Sequence, residues 1–491
     1  MAALRLPAEL WLRVFTYLPW TDKLRMRCTC SRFRSLLDES SALWRGFSVL
    51  LQDPSRYNRG FWRSLARWRV RAVRLRAGAR TDLQLLDSRL PLLDSLRLDR
   101  WTEREVRELR VLGRLQRLSI TSGCAPLGEL DFLVPLSDQL TQLTLCNVQL
   151  TCPAAHLMAA VTRLRRLTSL QLHHDGSLRI RTLGGILGHL NLLTHLSWTM
   201  IAYKALPQDF FGSAHLPDGA AAPQLSHLQL LNYDAAVTRD VLQPLSRLRS
   251  LSVLHLYSVP GPTCHLQTWL TSLPELSSLS VHGGHPLAAY AAVLPPSLLS
   301  LTLSVDLQPE DLQVVSARAP GLEHLHLEPW GSSSSLIKLL PHLFPHLRRL
   351  AIRHHGVSGE DFLLLQELKH LHTVEILDAY HRPNPEEPSW VLYEPSPHLL
   401  QLTCKLQELT NHRVQTSRSP SQTVSWSGER LPKPTTPVPT AMLCCFMAAC
   451  RTEPTDEFQP PANSSPGGSD RFPPDLQDPR DSALGSTPKQ S

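Results

Sequence analysis

Apolar positions along most of this chain follow one recurring pattern, L-x-x-L-x-L with occasional Val or Ile. Copies begin at Val70, Leu93, Leu115, Leu140, Leu167, Leu193, Leu225, Leu251, Leu276, Leu298, Leu322, Leu347 and Leu371, and a last one begins at Leu399. Successive starts lie 22 to 32 residues apart. Within a copy, alternate leucines predict a short strand with one face turned inward. The stretch between copies carries helical signals. Ser358 to Asp361 reads as a capping box, and Glu310 and Asp311 follow Pro309 at the positive end of another helix. Pro274, Pro320, Pro345 and Pro397 stand two residues before a repeat leucine, where a helix cannot easily continue. A unit of this size buries its apolar face only against its neighbours, so the expected fold is an α/β solenoid with a curved, concave parallel sheet. The widest interval, from Leu193 to Leu225, predicts a protruding loop, with Phe210 and Phe211 filling the space beneath it.

Two stretches break the pattern. Residues 6–18 place Leu10, Val14, Phe15 and Leu18 at helical spacing, with Pro7 and Glu9 suited to the first turn and Pro19 ending the helix. A second short helix follows Thr21 or Asp22, with Leu24, Cys28 and Phe33 as inward candidates, and apolar pairs recur at Leu36-Leu37 and Leu43-Trp44. Three helices in so few residues make a small all-α unit that gains from a partner. Residues 49–80 read as a linker helix and a cap for the open end of the array, with Phe61, Trp62, Leu65 and Trp68 inward. At the other end the period stops after Cys404. Residues 405–491 are Pro-, Ser- and Thr-rich and are expected to be a disordered tail, in which the apolar run 441–450 is too short to cross a bilayer. The expected organisation is therefore 1–48, 49–80, 81–404 (the repeats themselves starting at about 70) and 405–491.

Charge sharpens this division. The net charge is +7, but residues 1–80 hold 17 basic against 5 acidic residues, so the remainder is net acidic. Arg63, Arg67, Arg69, Arg71, Arg74 and Arg76 form a dense run. Without a stacking motif, a solvated face or an acidic protein partner explains it better than nucleic acid. The ten cysteines form no paired framework and no zinc-type spacing, which suits a reducing compartment: cytoplasm, with the nucleus as a second location. No eighteen-residue apolar run suggests a membrane span.

The order Leu6-Pro7-x-Glu9-Leu10, Val14-Phe15-x-x-Leu18-Pro19-x-x-Asp22, Cys30-x-x-Phe33 and Leu43-Trp44 resembles an F-box. It departs from that family at Phe33, where tryptophan is usual, and at Thr29, where valine is usual. The whole chain resembles the F-box and leucine-rich-repeat proteins. The resemblance implies docking on Skp1 and, through it, on a cullin–RING ubiquitin ligase, with the repeats holding a protein substrate. The family's adaptor contacts carry over onto Leu6, Pro7, Leu10, Val14, Phe15, Leu18, Leu43 and Trp44. It implies a non-catalytic subunit, and the alternatives are a non-degradative scaffold or a nucleic-acid-associated repeat protein.

The outward strand residues are then the candidate substrate contacts. Read from the copies above, the face is basic at its start, rich in hydroxyl and amide groups in the middle, and punctuated by imidazole. His195, His227, His255, Tyr257, His282, His324, His326, Arg349 and Arg353 are its best anchors. His324 and His326 lie two apart on one face, yet Ser300, Thr302, Arg349 and Ala351 beside them add no third ligand, so no metal and no cofactor are expected. No nucleophile elbow, zinc-protease helix motif or phosphate-binding loop occurs, so no catalysis is expected.

Overall fold

The computed structural model describes residues 6–76, 83–99, 101, 103–121, 127–146, 148–173, 180–200, 206, 210–211, 224–233, 240–255, 264–328, 334–353, 357–381, 390–391 and 397–420. They fall into two compact units, divided after Cys152. Tyr257, most of the loop expected between Leu193 and Leu225, and residues 421–491 of the expected tail lie outside the described residues, whereas residues 405–420, expected to be disordered, continue a helix and form a strand.

The first unit opens with helices α1 (Ala8–Thr16), α2 (Trp20–Arg27) and α3 (Ser31–Glu39), then a 3-10 turn over Ser41–Trp44. Pro7 and Pro19 occupy the N-caps of α1 and α2, so each proline sets a boundary. Trp11, Phe15 and Phe33 pack ring against ring, with centroids 4.6 to 5.8 Å apart. Phenylalanine at position 33 therefore does the packing expected of tryptophan, and the Thr29 hydroxyl donates to the Met26 carbonyl at 2.7 Å. Helix α2 departs from expectation. Cys28 is exposed and Leu24 half-buried, whereas Lys23 and Arg27 are buried. Lys23 lies over the Trp20 ring at 4.0 Å and donates to the Leu43 carbonyl at 3.2 Å, while burial lowers its pKa. Arg27 makes two hydrogen bonds, of 2.7 and 3.0 Å, to the buried carboxylate of Asp38.

The sheet begins earlier than the first L-x-x-L-x-L. Strand β1 (Ser48–Leu51) pairs in parallel with β2 (Ala72–Arg76), and α4 (Arg59–Arg67) joins them. This strand escapes the sequence pattern because Phe47, Val49 and Leu51 supply its inward positions without a leading leucine. Strands β3 (Ser95–Asp99), β4 (Arg117–Thr121) and β5 (Gln142–Cys146) follow in order, with helices α5 (Leu83–Arg89) and α6 (Glu103–Glu108) between the earlier ones. Leu96, Leu118 and Leu143 stand in register and are buried.

The second unit repeats the scheme. Helix α7 (Ala154–Val161) leads to β6 (Ser169–His173), and α8 (Ile180–Leu187) to β7 (His195–Thr199). Then come β8 (His227–Tyr233), β9 (Ser250–His255), helix α9 (His265–Thr271), β10 (Ser278–His282) and β11 (Ser300–Ser304). Helix α10 (Pro309–Arg318) precedes β12 (His324–Leu327), α11 (Ser334–Leu343) precedes β13 (Arg349–Ile352), and α12 (Gly359–Leu363) precedes β14 (Thr373–His381). The strands from β6 to β14 are parallel and in chain order. The predicted caps form: Ser358 Oγ accepts from the Asp361 amide, and Asp311 accepts from the Gln308 amide. Phe210 and Phe211 are buried edge to face at 5.0 Å, as the wide interval required. A hydroxyl after the first leucine of a copy often donates to the carbonyl one repeat earlier, as Thr194 does to Thr168, Ser226 to Thr194 and Ser277 to Arg249.

Two repeats differ from their reading. The copy placed at Leu251 starts at Leu248. Leu251 and Val253 are the inward residues of β9, paired with Leu279 and Val281 of β10. Valine in the third inward position hid the true frame, while Leu251, Leu254 and Leu256 imitated it three residues on. The copy at Leu399 is no strand but part of helix α13 (Pro397–Leu409), with Leu399, Leu402 and Leu406 buried at helical spacing. It leads to β16 (Gln415–Pro420), which pairs in parallel with β14, and the two-residue β15 (Trp390–Val391) pairs antiparallel with the far end of β14.

Candidate functional site

Helix α1 has two apolar faces. Phe15 is turned into the core, but Leu10 is 47 % and Val14 43 % exposed, and Tyr17 and Leu6 are exposed as well. Leu10, Val14 and Tyr17 fall at spacings of four and three on one stripe of the helix surface, with Leu6 in the segment before the Pro7 N-cap. Exposed apolar patches of this kind are a common feature of contact surfaces. The eight carried-over positions therefore separate. Leu6, Pro7, Leu10 and Val14 are exposed and Leu18 is half-buried. Phe15, Leu43 and Trp44 are buried within this domain, where they are core and not accessible contacts.

Behind the stripe lies a packed junction. Asp38 accepts from Arg27 and also from the Trp68 indole at 2.8 Å, and exposed Arg67 approaches it at 3.6 Å. The rings of Trp44 and Trp68 stack at 4.1 Å with 10° between their planes. Trp68 belongs to the segment entering β2, so the helical domain and the first strands share one core.

Part of the arginine run is paired with carboxylates. Asp94 pairs with Arg71 and Arg117 at 3.5 and 2.7 Å, and Asp99 with Arg74 and Arg97. Burial alone would raise the Asp99 carboxyl, but Arg97, Arg74 and the Thr121 hydroxyl outweigh it and hold the carboxyl below its ordinary value. Each of these two carboxylates serves two guanidiniums, so the pairings offset part of the positive charge of the strand face.

On the sheet face of the second unit the predicted anchors scatter. His195 and His227 are exposed cross-strand neighbours, their rings stacked at 4.0 Å and 12°. Thr194 and Ser226 hold their Nδ1 atoms at 2.8 Å. Burial lowers both pKa values, and the charges of His195 and Arg249 lower His227 further. The unfolded chain thus binds protons more readily than the stack does. Stability from this pair is constant above about pH 6.5 and falls as pH drops below it, until the depressed folded values are passed. Melting temperatures from about pH 7.5 to about pH 5 should fall less steeply in His227→Gln than in wild type, and parallel curves would remove the stack as the cause.

On β12 and β13, His324 and His326 are half-buried, Arg349 exposed and Arg353 half-buried. Burial lowers the His324 pKa, with Arg349 adding to it. Glu328, expected to point outward, is fully buried; His326 Nε2 lies 3.0 Å and Arg353 Nη2 3.5 Å from its carboxylate. His255 and His282 are buried as well and cannot serve as surface anchors. His282 holds the third outward position of its strand, and the equivalent Thr121, Cys146, His173, Thr199, Ser304 and Glu328 are buried too. His255 instead continues the inward alternation of Leu251 and Val253. At the second outward position Ser197, Ser252 and Ala351 are also buried, so on those strands only the first outward residue is open.

A model of the F-box-like family matches residues 3–49. A search of curated proteins by sequence finds no match. Solved structures with similar folds include TLR13 in its complex with ssRNA13, at 14 % identity and a TM-score of 0.32, covering 67 % of this chain but only 60 % of that one. The leucine-rich-repeat protein LegL7 of Legionella pneumophila has 17 % identity and a TM-score of 0.36, covering 57 % and 94 %. The yeast Rad7 and Elc1 complex has 16 % identity and a TM-score of 0.40, covering 72 % and 92 %. Among the described residues no helix is long and apolar enough to cross a membrane. The N-terminal helices are an F-box-like domain, and the chain joins that domain to a leucine-rich-repeat array.

Proposed function

We propose that this protein is a substrate-recognition adaptor of an SCF-type ubiquitin ligase. Its F-box-like domain docks on Skp1, which links it to a cullin–RING core, and the sheet face of its repeats holds a protein destined for ubiquitination in the cytoplasm or nucleus. The observation that carries the reading is the exposed stripe of Leu10, Val14 and Tyr17, with exposed Leu6 ahead of it, on an F-box-like domain. The chain itself contributes placement: it holds a partner protein where a separately recruited conjugating enzyme reaches its lysines.

The His195–His227 stack and Arg349 are the exposed substrate contacts that support the second half of the reading. Neutral imidazoles beside hydroxyl groups suit a polar protein surface. Copurification from cells with and without an inhibitor of cullin activation tests the proposal. Skp1 and a cullin should be recovered with the protein, and captured partners should accumulate under the inhibitor. Recovery of Skp1 with partners whose levels do not respond would favour the non-degradative scaffold. Failure to recover Skp1 would remove the ligase-adaptor reading and leave a repeat scaffold.

A further inference from the structure

Strands β8 and β9 slip register between Leu231 and Tyr233, where Asn232 adopts a positive φ of 57°. The slip sets Tyr233 opposite His255, and both turn into the core. There the Tyr233 ring packs against His265 and Trp269, each at 5.0 Å. His265 opens helix α9 and is fully buried; Cys264 precedes it as N-cap and is 3 % exposed. The fourth group arrives by a tight turn after β10. Gly283 and Gly284 have φ of 69° and 80°, and a Cβ on Gly284 would stand 2.6 Å from His255 Nδ1. Only glycine lets the backbone pass so close, and the turn delivers His285, 1 % exposed, to the same place.

The donor atoms of Cys264, His265 and His285 all lie within 4.8 Å of one another. His255 lies beside this group of three, its Nε2 3.0 Å from His265 Nε2. Its Nδ1 stands 3.2 Å from the His282 carbonyl, which can only accept, so Nδ1 carries the proton and Nε2 presents its lone pair to the cluster. A backbone carbonyl fixing the distal nitrogen is the usual support of a ligating imidazole. We infer that Cys264, His265 and His285, with His255 adjoining His265, form a buried binding site for a zinc-class divalent cation.

The donor set defines the ion. One sulfur and two imidazole nitrogens, with a third imidazole adjoining, suit zinc and its cobalt surrogate, while calcium and magnesium require oxygen. Full burial marks the site as structural, with no position left for a substrate. Burial raises the Cys264 thiol, against backbone N–H bonds from Leu266 and Gln267. A cation would offset that burial by binding the thiolate and releasing its proton. The ion would tie together the end of β9, the start of α9 and the turn after β10. This site is independent of the proposed ligase role, because nothing in it faces the open sheet.

The test uses full-length protein purified without a metal-chelating tag. Elemental analysis should find about one zinc per chain. Cobalt titration of chelator-treated protein should give tetrahedral visible bands and a near-ultraviolet thiolate-to-cobalt band. Cys264→Ser should abolish the thiolate band, and His285→Gln should weaken cobalt binding at least about tenfold. Cys146→Ser, a buried cysteine of the other unit, should leave both unchanged. Zinc should raise the melting temperature of wild type and not of Cys264→Ser. Should the variants fail to fold, wild type alone decides: substoichiometric zinc and no cobalt band overturn the site. Cobalt bands that persist unchanged in folded Cys264→Ser and His285→Gln overturn it equally.

Discussion

Protein carrying Leu10→Asp with Val14→Asp recovers Skp1 at least about thirtyfold less well than wild type, and melts at nearly the same temperature. The two side chains are 47 % and 43 % exposed and contribute little to the core, so their replacement leaves folding largely unchanged. In a docked complex the same positions would be desolvated. Truncating a central apolar anchor typically costs about 2 kcal/mol, and about 1.4 kcal/mol is tenfold in affinity, so one anchor alone reaches roughly thirtyfold. A buried carboxylate adds to that loss. Phe15→Asp must be kept apart from this pair, because Phe15 is fully buried and its loss would reflect collapse of the domain. Wild-type recovery by a folded Leu10→Asp, Val14→Asp protein would show that the stripe is not the docking surface.

Asp38→Ala should cost about 3–5 kcal/mol of local stability, the range for removing one partner of a buried ion pair. Arg27 would remain 7 % exposed without its two-pronged acceptor, and the Trp68 indole would lose its oxygen. Exposed Arg67 contributes little to the balance. Hydrogen exchange should show protection lost in α2, α3 and α4 together, since Asp38 bridges all three. A compensating Arg27→Met with Asp38→Leu should restore much of that protection, because it is the unpaired charge that is costly. Exchange in Asp38→Ala that matches wild type would refute the role of this pair.

How far these features could be read from sequence differs by residue. The leucines carried the array, because burial at alternate positions admits few substitutes. The frame slipped at β9, since Leu248-x-x-Leu251-x-Val253 and Leu251-x-x-Leu254-x-Leu256 satisfy one pattern equally well, and only pairing with Leu279 and Val281 separates them. Helix α13 hid because Leu399, Leu402 and Leu406 also match helical spacing. On α2, helical spacing picks Leu24 and Cys28 as inward, whereas a ring face and a carboxylate eleven residues on make the burial of Lys23 and Arg27 favourable. The outward histidines were chosen by alternation alone, which says nothing of where a strand ends. That is why His282 proved buried while His195 and His227 did not, whereas His255 is buried because its repeat was misframed and the position faces inward. The Cys264 and His285 cluster left two local signals, an adjacent Cys-His pair and a Gly-Gly step before histidine. Neither has meaning until the β8–β9 slip brings His255 beside them.

The stacked Trp44 and Trp68 have a consequence for reach. A disordered tether of similar length would let anything held on β1 to β5 sweep a wide volume around the docking helices, at a correspondingly diluted effective molarity. A ring stack at 4.1 Å, backed by Asp38, permits no such sweep. In the proposed ligase, selection among the lysines of a protein held on those strands would then be made by line of sight and not by random search. Glycines inserted between Trp44 and Trp68 would broaden that choice rather than merely weaken it.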